Sequence, residues 1–389
     1  MKKIVFVVYS LNIGGVERAL LGMLSKLDNE EYEVYLKVVN KKGGFLSSVS
    51  PKVRIDIIEG YHDNWILLNK PLPELIISSL KRLKIVKALK LARMWVNTKI
   101  TGIYHSVFEE ALKYDKDDNE YDVAVSYAGP TSMLDYYVAY HLKAKRKIGW
   151  VHYDVEKFSI NRKSQNICYK CFDNIFVVSK EGKIKFDSLF PQYKNKTQVL
   201  HNIINASEIL EQSKIPVDIL PSGYVNIVTV GRLSHEKGQD IAIQSLYYIK
   251  KAGYEVMWTF VGGGLYASDL EEMAKYYDVR DRIVFAGETK NPYPYMAQCD
   301  IYVQPSKHEG YCITLNEARI LGRPIVATDF TGAKEQLMGY EDSIITHLCP
   351  EELADAIISI IENSKGNNAG VTNMKADYSD DFKLFRELL

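Results

Sequence analysis

Two basic residues lie in a glycine-bounded segment, GRLSHEKG at 231–238, that follows an apolar run and precedes a helical pattern. In an open α/β sheet, ligands bind outside the carboxyl ends of the strands, where Arg232 and Lys237 would meet them. Arginine grips phosphate oxygens with paired hydrogen bonds, and lysine adds a compact positive charge. The two cations would therefore suit a diphosphate, whereas the alternative is a solvated surface pair, the commoner fate of Arg and Lys.

Two carboxylates stand eight positions apart in a second segment, PSKHEGYCITLNEA at 305–318. Glu309 falls in a loop and Glu317 on the helix that follows, while Gly310 permits a turn that could fold both around one ligand. Backbone N–H groups near 312–315 would face a phosphate at the helix start. Carboxylates accept hydrogen bonds from sugar and ribose hydroxyls. The alternative is a helix stabilised by acidic residues near its positive end.

A third glycine turn, NIGGVER at 12–18, joins the first apolar run to a helical pattern. Its glycines allow close approach of a ligand to the backbone, and the helix start favours an anion. The full G-x-G-x-x-G fingerprint is absent, so a dinucleotide site is not indicated. A plain strand-to-helix turn is the alternative.

These segments are set among alternating strand and helix patterns, which predict two doubly wound, Rossmann-like α/β domains. Near-continuous apolar runs indicate strands of a buried parallel sheet. The predicted strands are 3–9, 32–39, 53–58, 121–127, 146–152, 174–179, 197–201, 225–230, 256–261, 282–285, 301–304 and 324–327. The predicted helices include 16–27, 239–251, 268–277, 315–321 and 351–363.

A stretch punctuated by Pro and Gly separates the two predicted domains. The boundaries that follow are an N-terminal domain over 1–204, a linker over 205–223 and a C-terminal domain over 224–370. A final helical pattern over 371–389 is expected to pack back towards the N-terminal domain.

Bulk composition excludes several classes of protein. The 389 residues carry 49 Lys and Arg against 49 Asp and Glu, so nucleic acid is not an expected partner. Five cysteines in so long a chain suit a reducing cytoplasm. The first apolar run is too short for a signal peptide, and no run is long enough to span a membrane. We expect a cytoplasmic protein that is soluble or held at the inner membrane face.

Together the three segments resemble the family-four retaining glycosyltransferases, which have the GT-B fold of two Rossmann-like domains facing a central cleft. The resemblance rests on the Gly14-Gly15 turn, GRLSHEKG, and the E-x7-E spacing of EGYCITLNEA, and it covers the whole chain in order. It implies a hexosyltransferase of bacterial surface-polysaccharide synthesis. The N-terminal domain would bind the acceptor, and the C-terminal domain the nucleotide sugar.

The resemblance also implies roles for individual side chains. Arg232 and Lys237 would neutralise the departing nucleoside diphosphate, and Glu317 would bind the ribose hydroxyls. Glu309 would contact donor-sugar hydroxyls near the reacting carbon. His152 matches a family position whose histidine contacts the donor sugar.

Further positions would act through their backbone or shape the nucleotide pocket. Many relatives have Phe-Gly where this chain has Tyr-Cys at 311–312, which leaves the donor sugar open. By the resemblance, the phosphates would contact Gly15, Ile313, Thr314 and Leu315, and the base would rest near Gly287, Glu288 and Thr289.

The implied reaction is transfer from a nucleotide-diphosphate sugar, expected to be a UDP-sugar, to a glycan or lipid-linked glycan. Retention would follow a front-face route in which the phosphate assists deprotonation of the acceptor. Neither a cofactor nor a metal is expected. The alternatives are an epimerase or phosphorylase of the same fold, or a non-catalytic nucleotide-binding protein.

The segment 74–100 holds seven basic residues and a single acidic one, Glu74, with large apolar residues between them. Such a surface can lie on anionic lipid. At 100° per residue the lysines do not gather on one face, so two shorter helices remain an option. A solvated basic face is the alternative, and the segment also lies where an acceptor-binding insertion would occur.

Two weaker patterns favour structural explanations. Cys168 and Cys171 have C-x-x-C spacing without a second pair, which favours a helix carrying two cysteines over a zinc or redox site. Asp115 and Asp117 have a metal-like spacing inside a charge run, which favours a solvated loop.

Overall fold

The computed structural model describes residues 1–27, 30–59, 67–68, 70–216, 221–364 and 379–389. Within them the chain forms two parallel β-sheets whose strands are connected by helical crossovers. This is the doubly wound α/β architecture that the sequence predicts.

The N-terminal sheet has seven strands in the order β3-β2-β1-β4-β5-β6-β7. Its interior strand β1 is fully buried over 4–8, because helices and neighbouring strands cover an uninterrupted apolar run. The strands are β1 (Lys2–Val8), β2 (Tyr32–Val38), β3 (Arg54–Ile57), β4 (Glu120–Ser126), β5 (Lys143–Val151), β6 (Asn174–Val177) and β7 (Thr197–Val199).

The C-terminal sheet has six strands in the order β10-β9-β8-β11-β12-β13. Its edge strand β13 was not predicted, because only Ile344 and Ile345 of its four residues are apolar. The strands are β8 (Val225–Val230), β9 (Val256–Val261), β10 (Ile283–Gly287), β11 (Ile301–Gln304), β12 (Ile325–Thr328) and β13 (Ser343–Thr346).

Fifteen α-helices are described. Several begin at Ser or Asn caps; the Ser179 hydroxyl, for example, accepts a hydrogen bond from the Gly182 N–H. The helices are α1 (Gly15–Lys26), α2 (Leu72–Lys81), α3 (Ile85–Thr101), α4 (His105–Leu112), α5 (Ser132–Tyr136), α6 (Arg162–Lys170), α7 (Lys180–Leu189), α8 (Ala206–Gln212), α9 (Gln239–Lys251), α10 (Ala267–Tyr276), α11 (Tyr293–Gln298), α12 (Ile313–Ile320), α13 (Ala333–Leu337), α14 (Pro350–Ser364) and α15 (Ser379–Glu387).

The basic segment 74–100 contains two helices, α2 and α3, rather than one. The option of two shorter helices, left open by the sequence, is therefore the observed one. No helix in the described ranges is long and apolar enough to cross a bilayer.

The last described helix, α15, packs on the N-terminal sheet. Its Phe385 is fully buried and lies 6.1 Å from the Phe6 ring, 5.8 Å from Trp150 and 6.3 Å from Phe176, between ring centroids. The predicted helical pattern begins at 371, and 371–378 lie outside the described residues, as do 217–220 of the predicted linker.

Each sheet reverses its winding at one point, between β1 and β4 and between β8 and β11. Ligands of doubly wound folds bind at such points, beyond the carboxyl ends of the strands. The loops that follow β1, β8 and β11 are the three segments that the sequence singled out. One hydrophobic core cluster runs from the N-terminal sheet to α11 and α12 of the C-terminal domain. The carboxyl ends of the strands in the two sheets therefore face each other.

Candidate active site

A cavity of about 430 Å³ lies between the two domains, where these three loops meet. Most of the predicted site residues line it. Gly287 does not, and the Leu315 side chain is buried in the core, so Leu315 could reach a ligand only through its backbone. The predicted residues that line the cavity are Gly15, His152, Arg232, Lys237, Glu288, Thr289, Glu309, Ile313, Thr314 and Glu317.

Two helices begin at the cavity from opposite domains. Helix α1 starts at Gly15 and α12 at Ile313, and a Cβ added to Gly15 would lie 3.6 Å from the Ile313 side chain. Neither helix start has a side-chain cap, so their N–H groups and partial positive charge are directed to one space. This arrangement favours an anion with several oxygens, such as a diphosphate.

Lys237 and Glu309 form an ion pair in this cavity, with 2.6 Å between Nζ and Oε1. Their loops are pressed together because Gly238 adopts a left-handed backbone and comes close to the Pro305 carbonyl, where a Cβ would stand at 1.8 Å. Burial by itself would lower the pKa of Lys237, but the Glu309 charge and hydrogen bond outweigh it and raise the pKa. The lysine is therefore cationic.

The carboxylate of Glu309 is fixed by a chain of hydrogen bonds from β11. The Tyr302 hydroxyl donates to Gln304 Oε1 at 2.6 Å, and Gln304 Nε2 donates to Ser306 Oγ at 2.8 Å. Ser306 Oγ then donates to Glu309 Oε1 at 2.7 Å. Because the strand supports this chain, the Lys237–Glu309 pair has little freedom to rotate.

Arg232 lines the same cavity as Glu17, an acidic residue that the sequence analysis did not single out. Burial raises the pKa of Glu17, while its own backbone N–H and the charge of Arg232 act in the opposite direction. Glu17 belongs to the quoted NIGGVER motif, so its position in the first turn of α1 was the signal that could have identified it.

Glu317 is almost completely buried and is held by two residues that the sequence analysis also missed. The Tyr293 hydroxyl donates to Glu317 Oε1 at 2.9 Å, and Arg18 Nε lies 3.7 Å from the same oxygen. Arg18 also donates to the Tyr293 hydroxyl at 2.7 Å and stacks over the Phe45 ring. Burial raises the pKa of Glu317, and Arg18 and Tyr293 oppose that shift.

His152 contributes a neutral ring to the cavity wall. The ring stacks parallel to Trp150 at 6.0 Å and against Tyr127 at 4.7 Å, between centroids. Burial lowers its pKa to about 3, opposed only in part by the nearby Tyr127 backbone. Neither ring nitrogen makes a hydrogen bond of good geometry with the described residues, and both are buried from solvent.

The glycine after Glu309 allows the two domains to approach at the cavity. A Cβ on Gly310 would lie 2.0 Å from the His152 carbonyl oxygen, and the Gly310 carbonyl accepts a hydrogen bond from Ser179 Oγ at 3.1 Å. The amide of Gln336 holds both backbone groups of Cys312. The loop therefore has a fixed position against both domains.

Two patterns lie apart from the cavity. Cys168 is buried on α6 and burial raises the pKa of its thiol, as expected of a packed helix residue. Asp115 and Asp117 lie in a loop, as expected, but their side chains are paired rather than solvated. Asp115 accepts from the Tyr137 hydroxyl at 2.6 Å, and Asp117, nearly buried, pairs with Lys37 Nζ at 3.1 Å. Among the described residues, no group of His, Cys, Asp or Glu has the arrangement of a metal site.

A second polar contact between the domains centres on His201. Its Nε2 lies 2.9 Å from Glu335 and its Nδ1 lies 3.1 Å from Asp381 on α15. Burial would lower the pKa of His201, but hydrogen bonds to Asp381 and Glu335 outweigh it and raise the pKa to about 9. The protonated ring thus joins the C-terminal domain to the helix that covers the N-terminal sheet.

The His201 contact should make stability depend on pH. A raised pKa contributes stability below the unfolded value, near 6.5, that is lost as pH rises through about 9. At pH 6–7 the wild-type chain should unfold at a higher temperature than His201→Gln. The difference in the free energy of unfolding should reach up to about 3 kcal/mol. It should vanish near pH 10. The exposed His347→Gln is the control; a pH-independent gap would contradict the role of the charge.

Comparison with known proteins gives a consistent result. Residues 212–376 match the family described as glycosyl transferases group 1. An uncharacterized glycosyltransferase of Methanocaldococcus jannaschii is 28% identical over 43% of this chain, and the match spans 43% of that relative. A relative in Campylobacter jejuni is 23% identical over 88% of this chain and 85% of its own. Its name is N-acetylgalactosamine-N,N'-diacetylbacillosaminyl-diphospho-undecaprenol 4-alpha-N-acetylgalactosaminyltransferase.

Solved structures match the whole chain. HepE of Anabaena in complex with UDP superposes with a TM-score of 0.69 at 17% identity, covering 100% of this chain and 99% of that one. TarM of S. aureus, in complex with UDP and other ligands, has a TM-score of 0.69 at 14% identity, with the same coverage of both chains. These likenesses show that the fold is GT-B, as the sequence resemblance implies.

Proposed function

We propose that this chain, which carries a group 1 glycosyltransferase domain within a GT-B fold, transfers a sugar from a UDP-sugar to a glycan on a lipid carrier. The transfer would retain the anomeric configuration and need no metal. The observation that carries the proposal is one cavity in which Arg232, Lys237 and two uncapped helix starts converge. That set matches the charge of a departing diphosphate.

The electrostatics of the cavity define the division of labour. As the bond between the anomeric carbon and the diphosphate oxygen breaks, negative charge grows on the leaving oxygens. Lys237 and Arg232 would stabilise that charge without reorganising, because Glu309 already holds the lysine. A phosphate oxygen would take the proton from the acceptor hydroxyl, whose oxygen bonds to the same face of the anomeric carbon.

The two carboxylates would bind hydroxyls rather than react. The Glu309 carboxylate points into the cavity from a fixed chain of hydrogen bonds and is placed to accept from the donor sugar. Glu317 would accept from the ribose, with Glu288 and Thr289 near the base. His152 would face the sugar as a neutral donor or acceptor, because burial holds its pKa far below neutrality.

The names of the compared proteins support the choice of donor and acceptor. The HepE and TarM structures contain UDP, and the Campylobacter relative is named for transfer to a diphospho-undecaprenol substrate. A lipid-linked acceptor would place the protein at the inner face of the cell membrane. The basic helices α2 and α3 would supply the attachment.

Donor binding is tested by calorimetry with a panel of nucleotide sugars. We expect one UDP-sugar to bind and to raise the unfolding temperature. At a concentration a hundredfold above Kd, it should add about 2.7 kcal/mol to the free energy of unfolding. Glu317→Ala should weaken that binding by about ten- to a hundredfold, because a charged hydrogen bond contributes about 1.5–3 kcal/mol. Glu351→Ala, an exposed glutamate on α14, is the control. Equal donor affinity of Glu317→Ala and wild type would refute the ribose contact.

A further inference from the structure

Helix α3 is apolar on two opposite faces. Its inner face packs Leu91 and Met94 into a small core shared with Val107 and Ala111 of α4. This packing already anchors the hairpin of α2 and α3 on the N-terminal domain. A second apolar face is therefore not needed for folding.

The outer face is a continuous stripe of exposed aliphatic side chains. Ile85, Leu89, Val96 and Ile100 fall within about 60° of each other at 100° per residue. They are 59%, 67%, 46% and 76% exposed. The stripe runs for about 24 Å along the helix. We call these four residues the outer stripe.

The turn between the two helices adds an apolar side chain in a costly conformation. Leu83 has a φ of 53°, which is a left-handed backbone conformation that favours glycine. The residue is 85% exposed. Two hydrogen bonds close the turn, from the Leu83 N–H to Leu80 and from the Lys84 N–H to Ser79. A bulky side chain here costs about 1–2 kcal/mol and gains no packing, which points to a role outside the folded chain.

Basic residues surround this apolar surface. Among the described residues, only Lys90 of the seven has an ion-pair partner, Glu110. The other six are exposed: Lys81, Arg82 and Lys84 lie around the turn next to Leu83, and Arg93 and Lys99 flank the outer stripe, whereas Lys87 lies on the opposite side of α3. The segment has a single acidic residue. The seven basic residues are Lys81, Arg82, Lys84, Lys87, Lys90, Arg93 and Lys99.

The base of the hairpin is tied to the edge of the cavity. The Gly102 carbonyl accepts from Asn161 Nδ2 at 2.8 Å, and the Tyr104 N–H donates to Ser164 Oγ at 3.0 Å. Phe158, which lines the cavity, lies three residues before Asn161. The hairpin is therefore attached to the segment that contributes Phe158 to the cavity wall.

We propose that the outer stripe and Leu83 insert into the interfacial layer of an anionic bilayer, with the surrounding cations on lipid phosphates. Helix α3 lies along the membrane plane, and insertion of its aliphatic side chains, rather than charge alone, holds it there. The Phe158 side of the cavity then opens towards a lipid-linked acceptor. Only this last consequence rests on the proposed transferase function.

Charge favours lipid over a second copy of the chain as the occupant. In a two-fold dimer the outer stripe of one copy would pack against that of the other. The cations around it would then lie close to the same cations of the second copy, which is electrostatically unfavourable. An anionic bilayer neutralises them at the same time as it buries the stripe.

The test is vesicle flotation at low and high salt. The vesicles contain equal parts of phosphatidylglycerol and phosphatidylcholine. The triple change Leu89→Ser, Val96→Ser and Ile100→Ser should weaken partitioning about a hundredfold at both salts. Replacing Lys84, Arg93 and Lys99 by Gln should weaken it at about 50 mM NaCl and much less at about 500 mM. The control replaces by Ser three apolar residues elsewhere that are on average more exposed, Ile184, Leu265 and Met338.

A single substitution separates insertion from damage to the fold. Leu83→Gly removes an apolar side chain but relieves the left-handed backbone, so it should raise the unfolding temperature while weakening vesicle binding. Wild-type partitioning of the Ser triple variant, or equal loss in the control triple, would overturn the proposal. The proposal would also be overturned if the wild-type chain were a dimer that the Ser triple variant converts to a monomer. The outer stripe would then be a subunit interface.

The same proteins are titrated with UDP-sugars in the absence of vesicles. If insertion is correct, the Ser triple variant keeps the donor affinity of the wild type. Flotation without binding of any nucleotide sugar would contradict the proposed function and leave the insertion standing. Donor binding without flotation would contradict the insertion and leave the proposed function standing.

Discussion

Lys237→Ala is expected to lower kcat for glycosyl transfer by about a hundred- to a thousandfold, the cost of removing one preorganised charge from a developing anion. In the cavity Lys237 Nζ is held 2.6 Å from Glu309, so the cation is in place before the donor arrives. Its loss should act on the transition state more than on the bound donor. The measurement is acceptor-dependent release of nucleoside diphosphate at saturating donor.

The control for this change is another lysine in the neighbouring loop. Lys307→Ala removes a cation paired with Asp240 that does not line the cavity, and it should leave kcat within about twofold of wild type. Because Lys237→Ala also leaves Glu309 without its partner, the double variant with Glu309→Ala separates the two effects. Turnover of Lys237→Ala close to that of wild type would refute the assigned role.

Gly310→Ala is expected to lower kcat/KM by about a hundredfold or more while both domains stay folded. The added Cβ would stand 2.0 Å from the His152 carbonyl oxygen. The backbone fixes the position of the Cβ, and the oxygen is itself a backbone atom, so neither can rotate away. The domains would have to separate at the cavity, and a displacement of about 1 Å can cost a hundredfold in rate. Transfer kinetics with unchanged near-ultraviolet dichroism would establish this.

A different glycine provides the comparison. Gly253 has a left-handed backbone and open space around its Cα, so Gly253→Ala introduces backbone strain away from the cavity. It should lower the unfolding temperature and leave kcat/KM unchanged. If Gly310→Ala were as active as Gly253→Ala, close approach of the domains would not be required for the reaction.

The sequence determined the architecture because the signals for it are local. Uninterrupted apolar runs such as that of β1 predict buried strands, and glycine turns after three of them mark the loops at the sheet ends. The strand β13 was missed because its two apolar residues, Ile344 and Ile345, stand between polar ones and make too short an apolar run. The same local pattern left open whether 74–100 formed one helix or two.

The sequence also indicated which side chains line the cavity, since Arg232, Lys237, Glu309 and Glu317 stand in recognisable motifs. It did not indicate their partners. Tyr293 lies 24 positions from Glu317, and no short pattern connects them. Arg18 meets Glu317 across the two domains, so only the tertiary structure could pair them.

Residue types and spacing along the chain thus determined the fold class, the three ligand-facing loops and the basic character of 74–100. The tertiary structure decided the rest, because burial and contact distances depend on how distant segments pack. It placed Glu309 against Lys237, buried His152 so that its ring is neutral, and turned a second apolar face of α3 towards solvent. No periodicity reveals which of two apolar faces a protein leaves uncovered.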